Sequence, residues 1–135
     1  MAIVTTFPKC LDSPYLFADE KAPDRVGALL ATAGDRLEAA ANIHATGQGD
    51  PTDITLFSYE AMFACIRALV YAKGYREAGL RCLLLACEEL YVRPGQLDPS
   101  LLIAFQRAQG LKTSPADNLA AAGALVRRTL EILRT

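Results

Sequence analysis

From Asp24 onward, apolar residues recur at spacings of three and four, as Val26, Leu29, Leu30, Ala33, Leu37, Ala40 and Ala41. That period marks a helix with one buried face. Asp24 stands where an N-cap is expected, and this first long helix is predicted to run to about His44, before the loop Gly47-Gln48-Gly49. A start signal then occurs at three places: a capping residue followed by proline at the first helical position, where the missing N–H costs nothing. Asp50-Pro51, Asp98-Pro99 and Ser114-Pro115 carry it, and Asp53 and Asp117 add first-turn acids that suit the helix dipole.

The second helix is the longest, with Leu56, Tyr59, Met62, Phe63, Ile66, Leu69 and Val70 covering a broad face, and Gly74 is a suitable residue to end it. A third is expected from about Glu77, burying Leu80, Leu83, Leu84, Cys87, Leu90 and Tyr91 until Pro94-Gly95 breaks it. The fourth uses Leu101, Leu102 and Phe105, and the fifth Leu119, Leu125, Val126, Leu130 and Leu133. β-Branched residues nowhere alternate over a useful length, so no strand is predicted. The expected fold is all-α, a four- to five-helix bundle over residues 24–135 with more than roughly 60% helix. Residues 1–23 hold Pro8, Pro14 and Pro23 among Phe7, Leu11, Tyr15, Leu16 and Phe17, and read as an arm lying on the bundle.

Composition narrows the function classes. With 52% hydrophobic and 21% charged residues the chain is globular. Its 14 basic and 15 acidic residues leave a net charge of −1, so binding to nucleic acid or an acidic membrane would need a local patch. Cys10, Cys65, Cys82 and Cys87 show no C-x-x-C spacing and are expected to be buried, reduced thiols. A reducing, cytoplasmic location is expected from that. The first residues lack a basic n-region, and no run reaches eighteen apolar residues, so neither export nor a membrane span is expected.

Candidate chemistry is sparse. His44 is the one histidine, which argues against the usual His-based metal site or serine triad, and its place at the end of the first helix suits a partly charged imidazole. Glu88 and Glu89 diverge by about 100° on a helix and cannot by themselves form a shared acid/base site. Gly47 and Gly49 precede a helix but follow no strand, so no phosphate loop of the usual kind exists. No catalytic residue, metal or cofactor is expected. Arg67 sits among apolar neighbours and is followed by Lys73 and Arg76. It reads either as a structural arginine, paired with Glu60 or an acid on another helix, or as part of an anion-binding rim.

The segment that holds it, with Tyr59, Ala61, Phe63, Arg67-Ala68-Leu69 and Lys73-Gly74-Tyr75-Arg76, resembles the HEPN family of small bacterial helical bundles. The first helix, with Arg36-Leu37-Glu38-Ala39, and the last, Ala120 to Leu133, are similar too, so the resemblance covers roughly Val26 to Thr135. It implies a four- or five-helix bundle, a homodimer, and service either as a ribonuclease in toxin-antitoxin and defence systems or as a non-catalytic partner that binds nucleotide or RNA. A nucleotidyltransferase is the kind of protein partner it would imply.

Nuclease members carry an arginine and, after four to six residues, a histidine. Here Gly79-Leu80-Arg81-Cys82 has no histidine, and Arg107 is followed by none. Self-cleavage of RNA through the 2′-hydroxyl needs an acid and a base near neutral pKa, which histidine supplies most readily. The favoured reading is therefore a non-catalytic HEPN-like binding or assembly module. Its ligand-binding residues would be Arg67, Lys73, Arg76, Arg81 and Arg107. The alternatives are a ribonuclease using Tyr75 or an unrecognised group, and a structural dimeric bundle that binds another protein.

Overall fold

The computed structural model describes residues 4–110 and 112–134. The first three positions of the expected arm, and Leu111 and Thr135 of the expected bundle, lie outside them. The chain is 73% helical. In order, the elements are α1 (Phe7–Leu11), β1 (Leu16–Ala18), a 3₁₀ turn (Ala22–Arg25), α2 (Val26–Thr46), α3 (Pro51–Ala72), β2 (Tyr75–Glu77), α4 (Leu80–Cys87), a π-helical turn (Glu88–Val92), α5 (Pro99–Gln109) and α6 (Pro115–Leu133).

The three proline-marked starts form as expected. The side chain of Asp50 accepts from the Thr52 N–H, that of Asp98 from Ser100, and that of Ser114 from Asp117. Each satisfies one of the backbone donors that a helix start leaves unpaired. Asp24 does not cap α2. The 3₁₀ turn carries the chain straight into the helix, so Asp24 lies inside that turn and Arg25 holds the cap position without a side-chain bond.

α3 is the axis of the bundle. Ala61, Met62, Cys65, Ile66, Ala68, Leu69 and Val70 are fully buried, and α2 and α6 pack along it while α4 and α5 close the remaining sides. Its broad apolar circumference is thus used inside one chain and is not by itself an argument for a second copy. Leu56 is the exception, 50% exposed. α3 is also long and apolar enough to cross a membrane, but two thirds of its apolar window is buried in the bundle, as befits a core helix. A polar cluster sits in this core. The Asn118 carboxamide on α6 donates to Thr55 Oγ1 on α3 at 3.1 Å and accepts from the Thr113 hydroxyl.

The far end of α3 departs from the sequence-based expectation. Gly74 takes φ +85°, a left-handed conformation in which a Cβ would be strained, and the chain leaves the helix extended. Tyr75–Glu77 pairs antiparallel with β1, Leu16 opposite Glu77 and Ala18 opposite Tyr75. The expectation of no strand is therefore corrected. Two runs of three residues are too short to show alternation, and their partners are about sixty positions apart. For the same reason the third predicted helix starts at Leu80 rather than Glu77.

The arm is held by more than this sheet. Leu16 is fully buried, Phe7 meets Tyr75 edge to face at 5.6 Å, and Cys10 on α1 forms a disulfide with Cys82 on α4. The expectation of four reduced thiols fails for this pair. Their separation of 72 positions hides a Cα–Cα distance of 5.6 Å, within the range a disulfide needs. The cytoplasmic placement loses the ground it was drawn from. Cys65 and Cys87 are free and buried, and burial pushes both thiols up to about 12.

The π turn after α4 has an identifiable use. At the end of α3 the Lys73 N–H turns to the Val70 carbonyl, and the Tyr91 hydroxyl donates to the Leu69 carbonyl at 2.5 Å. The wider turn brings Tyr91 back onto a helix end that would otherwise leave a buried acceptor unpaired.

Candidate functional site

Where α2, α3 and β2 meet, an open cleft of about 340 Å³ is lined by Arg25, Ala28, Leu29, Thr32, Arg67, Tyr71, Arg76 and Glu77. Each polar group is placed by a local feature already described. Arg25 ends the 3₁₀ turn, Thr32 is on the second turn of α2, and Arg67 and Tyr71 are one helical turn apart on α3. Arg76 and Glu77 project from β2 because Gly74 ends α3 and β1 fixes the strand that follows.

Glu77 anchors the cleft. Its carboxylate is 7% exposed, lies 3.0 Å from Arg67 Nε, and accepts a hydrogen bond from the Tyr71 hydroxyl. The Arg67 guanidinium also lies 4.2 Å from the centroid of the Phe63 ring, so it is clamped between a charge and an aromatic face. Of the acids expected for Arg67, Glu60 is not the one used, since it pairs with Arg36 at 2.7 Å, and the acid from another element is Glu77, on a strand and not a helix. Arg76 faces Asp19, just beyond β1, at 3.8 Å. Arg25 forms no ion pair with a described residue. Three guanidinium groups therefore meet two carboxylates, leaving an excess of positive charge at an open cleft.

Tyr71 is held as a donor. Burial pushes its hydroxyl up to about 12, and the hydrogen bond to Glu77 and the charge of Glu77 act in the same direction. It stays protonated across the physiological range and is unsuited to act as a base there. Tyr75, the group considered for an alternative nuclease, packs its ring on Phe7 and serves to hold the arm. His44 is exposed in the last turn of α2, about 18 Å along the helix from Thr32 at the usual rise per residue.

Of the five residues singled out from the sequence, the fold brings together Arg67 and Arg76. Lys73 caps α3 with its ammonium 5.5 Å from the centroid of the Tyr91 ring and lies outside the cleft. Arg81, at the start of α4, donates from Nε to the Val4 carbonyl at 2.8 Å. It lines a separate groove of about 370 Å³ with Leu84, Leu85, Val92, Leu102 and Ile103, a mostly apolar surface. Arg107 is exposed in the last turn of α5 and lines neither. Sequence reasoning missed Arg25, Thr32, Tyr71 and Glu77. Tyr71 carried a signal, being four residues after Arg67 on a predicted helix; the other three depend on packing between elements distant in the chain.

Among the described residues, no cluster of three or more His, Cys, Asp or Glu side chains could hold a metal ion. Compared with protein-family models, with curated proteins and with solved structures, the chain finds no match in any of the three.

Proposed function

We propose that this protein is a non-catalytic, HEPN-like binding module that holds the phosphate of a nucleotide or of RNA in the cleft between α2, α3 and β2. The convergence of Arg25, Arg67 and Arg76 there carries this reading. A planar guanidinium matches phosphate oxygens with paired donors. Arg67 is already oriented by Glu77 and Phe63, so little of its freedom is left to lose on binding. The Tyr71 hydroxyl and Thr32 are the neutral groups beside it.

The non-catalytic part of the reading rests on the chemistry of the lining. Arginines and a tyrosine held protonated bind anions well but do not accept and return a proton near neutral pH, and the Glu77 carboxylate is engaged by Arg67 and Tyr71. The HEPN-like part rests on the helical segment around Arg67 and on the bundle built about it, and the homodimer belongs to the proposal on the same ground.

The test is a titration of the purified protein with inorganic pyrophosphate, with ATP and with a short RNA, followed by calorimetry and by melting temperature. A ligand at a hundred times its dissociation constant should stabilise the fold by about 2.7 kcal/mol. Arg67→Ala and Arg76→Ala should each weaken binding about tenfold or more, as expected for lost charge-assisted bonds. Arg107→Ala should leave it unchanged. Lack of any response to all three ligands would overturn the anion site, and metal-independent RNA cleavage lost on His44→Ala would overturn the non-catalytic assignment.

A further inference from the structure

The disulfide lies outside the cleft, yet the path from one to the other is short. Cys10 lies in the last turn of α1, and six residues later the same arm becomes β1, the strand that pairs with β2. The backbone bonds that flank this pairing run from the Asp19 N–H to the Gly74 carbonyl at 2.8 Å and from the Ala78 N–H to the Tyr15 carbonyl at 2.9 Å. Across the sheet Arg76 sits opposite Phe17 and Glu77 opposite Leu16, and Asp19 supplies the acid that faces Arg76. Two of the cleft's charged residues thus stand on a strand whose β partner belongs to the arm.

We propose that the Cys10–Cys82 bond is a redox latch on the arginine cleft: oxidised, it holds the arm on β2; reduced, it lets the arm lift, and Arg76 and Glu77 lose the positions that complete the cleft. This rests on the reading of the cleft as an anion site and adds its regulation. A strand pair of three residues is too short to be stable alone, so the covalent link, added to the burial of Leu16 and the Phe7–Tyr75 contact, limits how often the arm opens. Both sulfurs are buried, so a reductant reaches them only in an opened arm, and an anion seated in the cleft favours the closed arm, in which β1 holds Arg76 and Glu77 in place. By linkage, reduction weakens anion binding by the same factor by which bound anion disfavours reduction at equilibrium.

The chemistry is an ordinary exchange. A dithiol reductant attacks one sulfur as its thiolate and forms a mixed disulfide, and its second thiol then closes on the first. Cys10 and Cys82 leave as thiols, having gained two electrons and two protons, and the reductant leaves as a cyclic disulfide. Cys65 and Cys87 do not compete, since both are buried with thiols pushed up to about 12.

The experiment compares oxidised protein, protein reduced with dithiothreitol, and the Cys10→Ser/Cys82→Ser double variant. Amide exchange reads the arm without any ligand. Reduction should speed exchange at Asp19 and Ala78 about tenfold or more while the amides of α3 and α6 hold their rates, as for a local opening. Inorganic pyrophosphate should bind the reduced protein about fivefold or more weakly, at the lower end of usual coupling between sites, and the double variant should match the reduced protein and ignore dithiothreitol. Unchanged exchange at Asp19 and Ala78 on reduction overturns the latch. So does equal pyrophosphate affinity in both redox states when Arg67→Ala still weakens binding, which leaves the site standing. No pyrophosphate binding in either state removes the site itself, and its regulation with it. If the double variant does not fold, the reduced wild-type protein decides.

Discussion

The core around α3 and the flank made by the arm, β2 and α4 are held by different kinds of interaction. The core is a long contact between periodic apolar faces, in which Leu69, Ile66 and Met62 are fully buried against α2 and α6. The flank is held by a few discrete ties: one disulfide, a six-residue sheet, the Phe7–Tyr75 contact and the ion pairs of Arg67 and Arg76. Losing one contact in the core costs packing and leaves the rest in place. Losing one tie in the flank releases a segment, and the charged cleft lies on the flank side of that boundary.

The largest effects are expected in the core. Leu69→Ala should destabilise the fold by about 2–5 kcal/mol through lost burial and a cavity, read as the free energy of denaturant unfolding. An acid at Ile66, fully buried, should prevent folding altogether. Removal of the Cys10–Cys82 bond should cost roughly 2–4 kcal/mol, the usual effect of closing a long loop. If it cost as much as Ile66→Asp, the flank would be part of the core and the contrast would fail.

Smaller effects are expected in the flank and at the helix starts. Tyr71→Phe removes a donor from the nearly buried Glu77 carboxylate and should cost about 1–3 kcal/mol, with the loss concentrated in amide exchange near β2. Asp50→Ala should cost about 1 kcal/mol, the common value of an N-cap, and should show equally in the melting of α3 and of the whole domain.

Alkaline titration gives a further test. Tyr71, Tyr91, Cys65 and Cys87 all have folded pKa values raised to about 12 by burial, from ordinary values of 10 for the tyrosines and 9 for the thiols. The folded state then binds more protons than the unfolded state between those limits, so stability falls as pH rises. It should be fully present below about pH 9 and be lost progressively between about pH 9 and 12. A stability that held level to pH 12 would contradict the burial of these groups.

Legibility in the sequence follows the same division. The long helices and three of their caps were readable because their signals are local: a period of three to four residues, or a capping side chain beside Pro51, Pro99 or Pro115. The sheet, the disulfide and the partner of Arg67 were not, because each joins residues that are neighbours only after folding. Glu60, seven positions before Arg67, was the nearer acid in sequence, but α2 brings Arg36 to it and β2 brings Glu77 to Arg67. The site was half legible for this reason. Arg67 and Arg76 stood out by composition of their segment, whereas Arg25 and Thr32 enter the cleft only because α2 crosses α3 there.

The buried Asn118 between Thr55 and Thr113 determines alignment more than adhesion. Two apolar helices can slide past each other by a full turn, about 5.4 Å, and still present hydrophobic faces. Asn118 allows only one such setting, since in any other its amide would be buried without Thr55. Replacing Asn118 and Thr55 together with leucine and valine should therefore leave α6 bound with similar or greater stability but free to occupy more than one register. Broadened or doubled resonances along α6, with an unchanged denaturation midpoint, would be the signature; a single sharp set would assign the register to the apolar side chains alone.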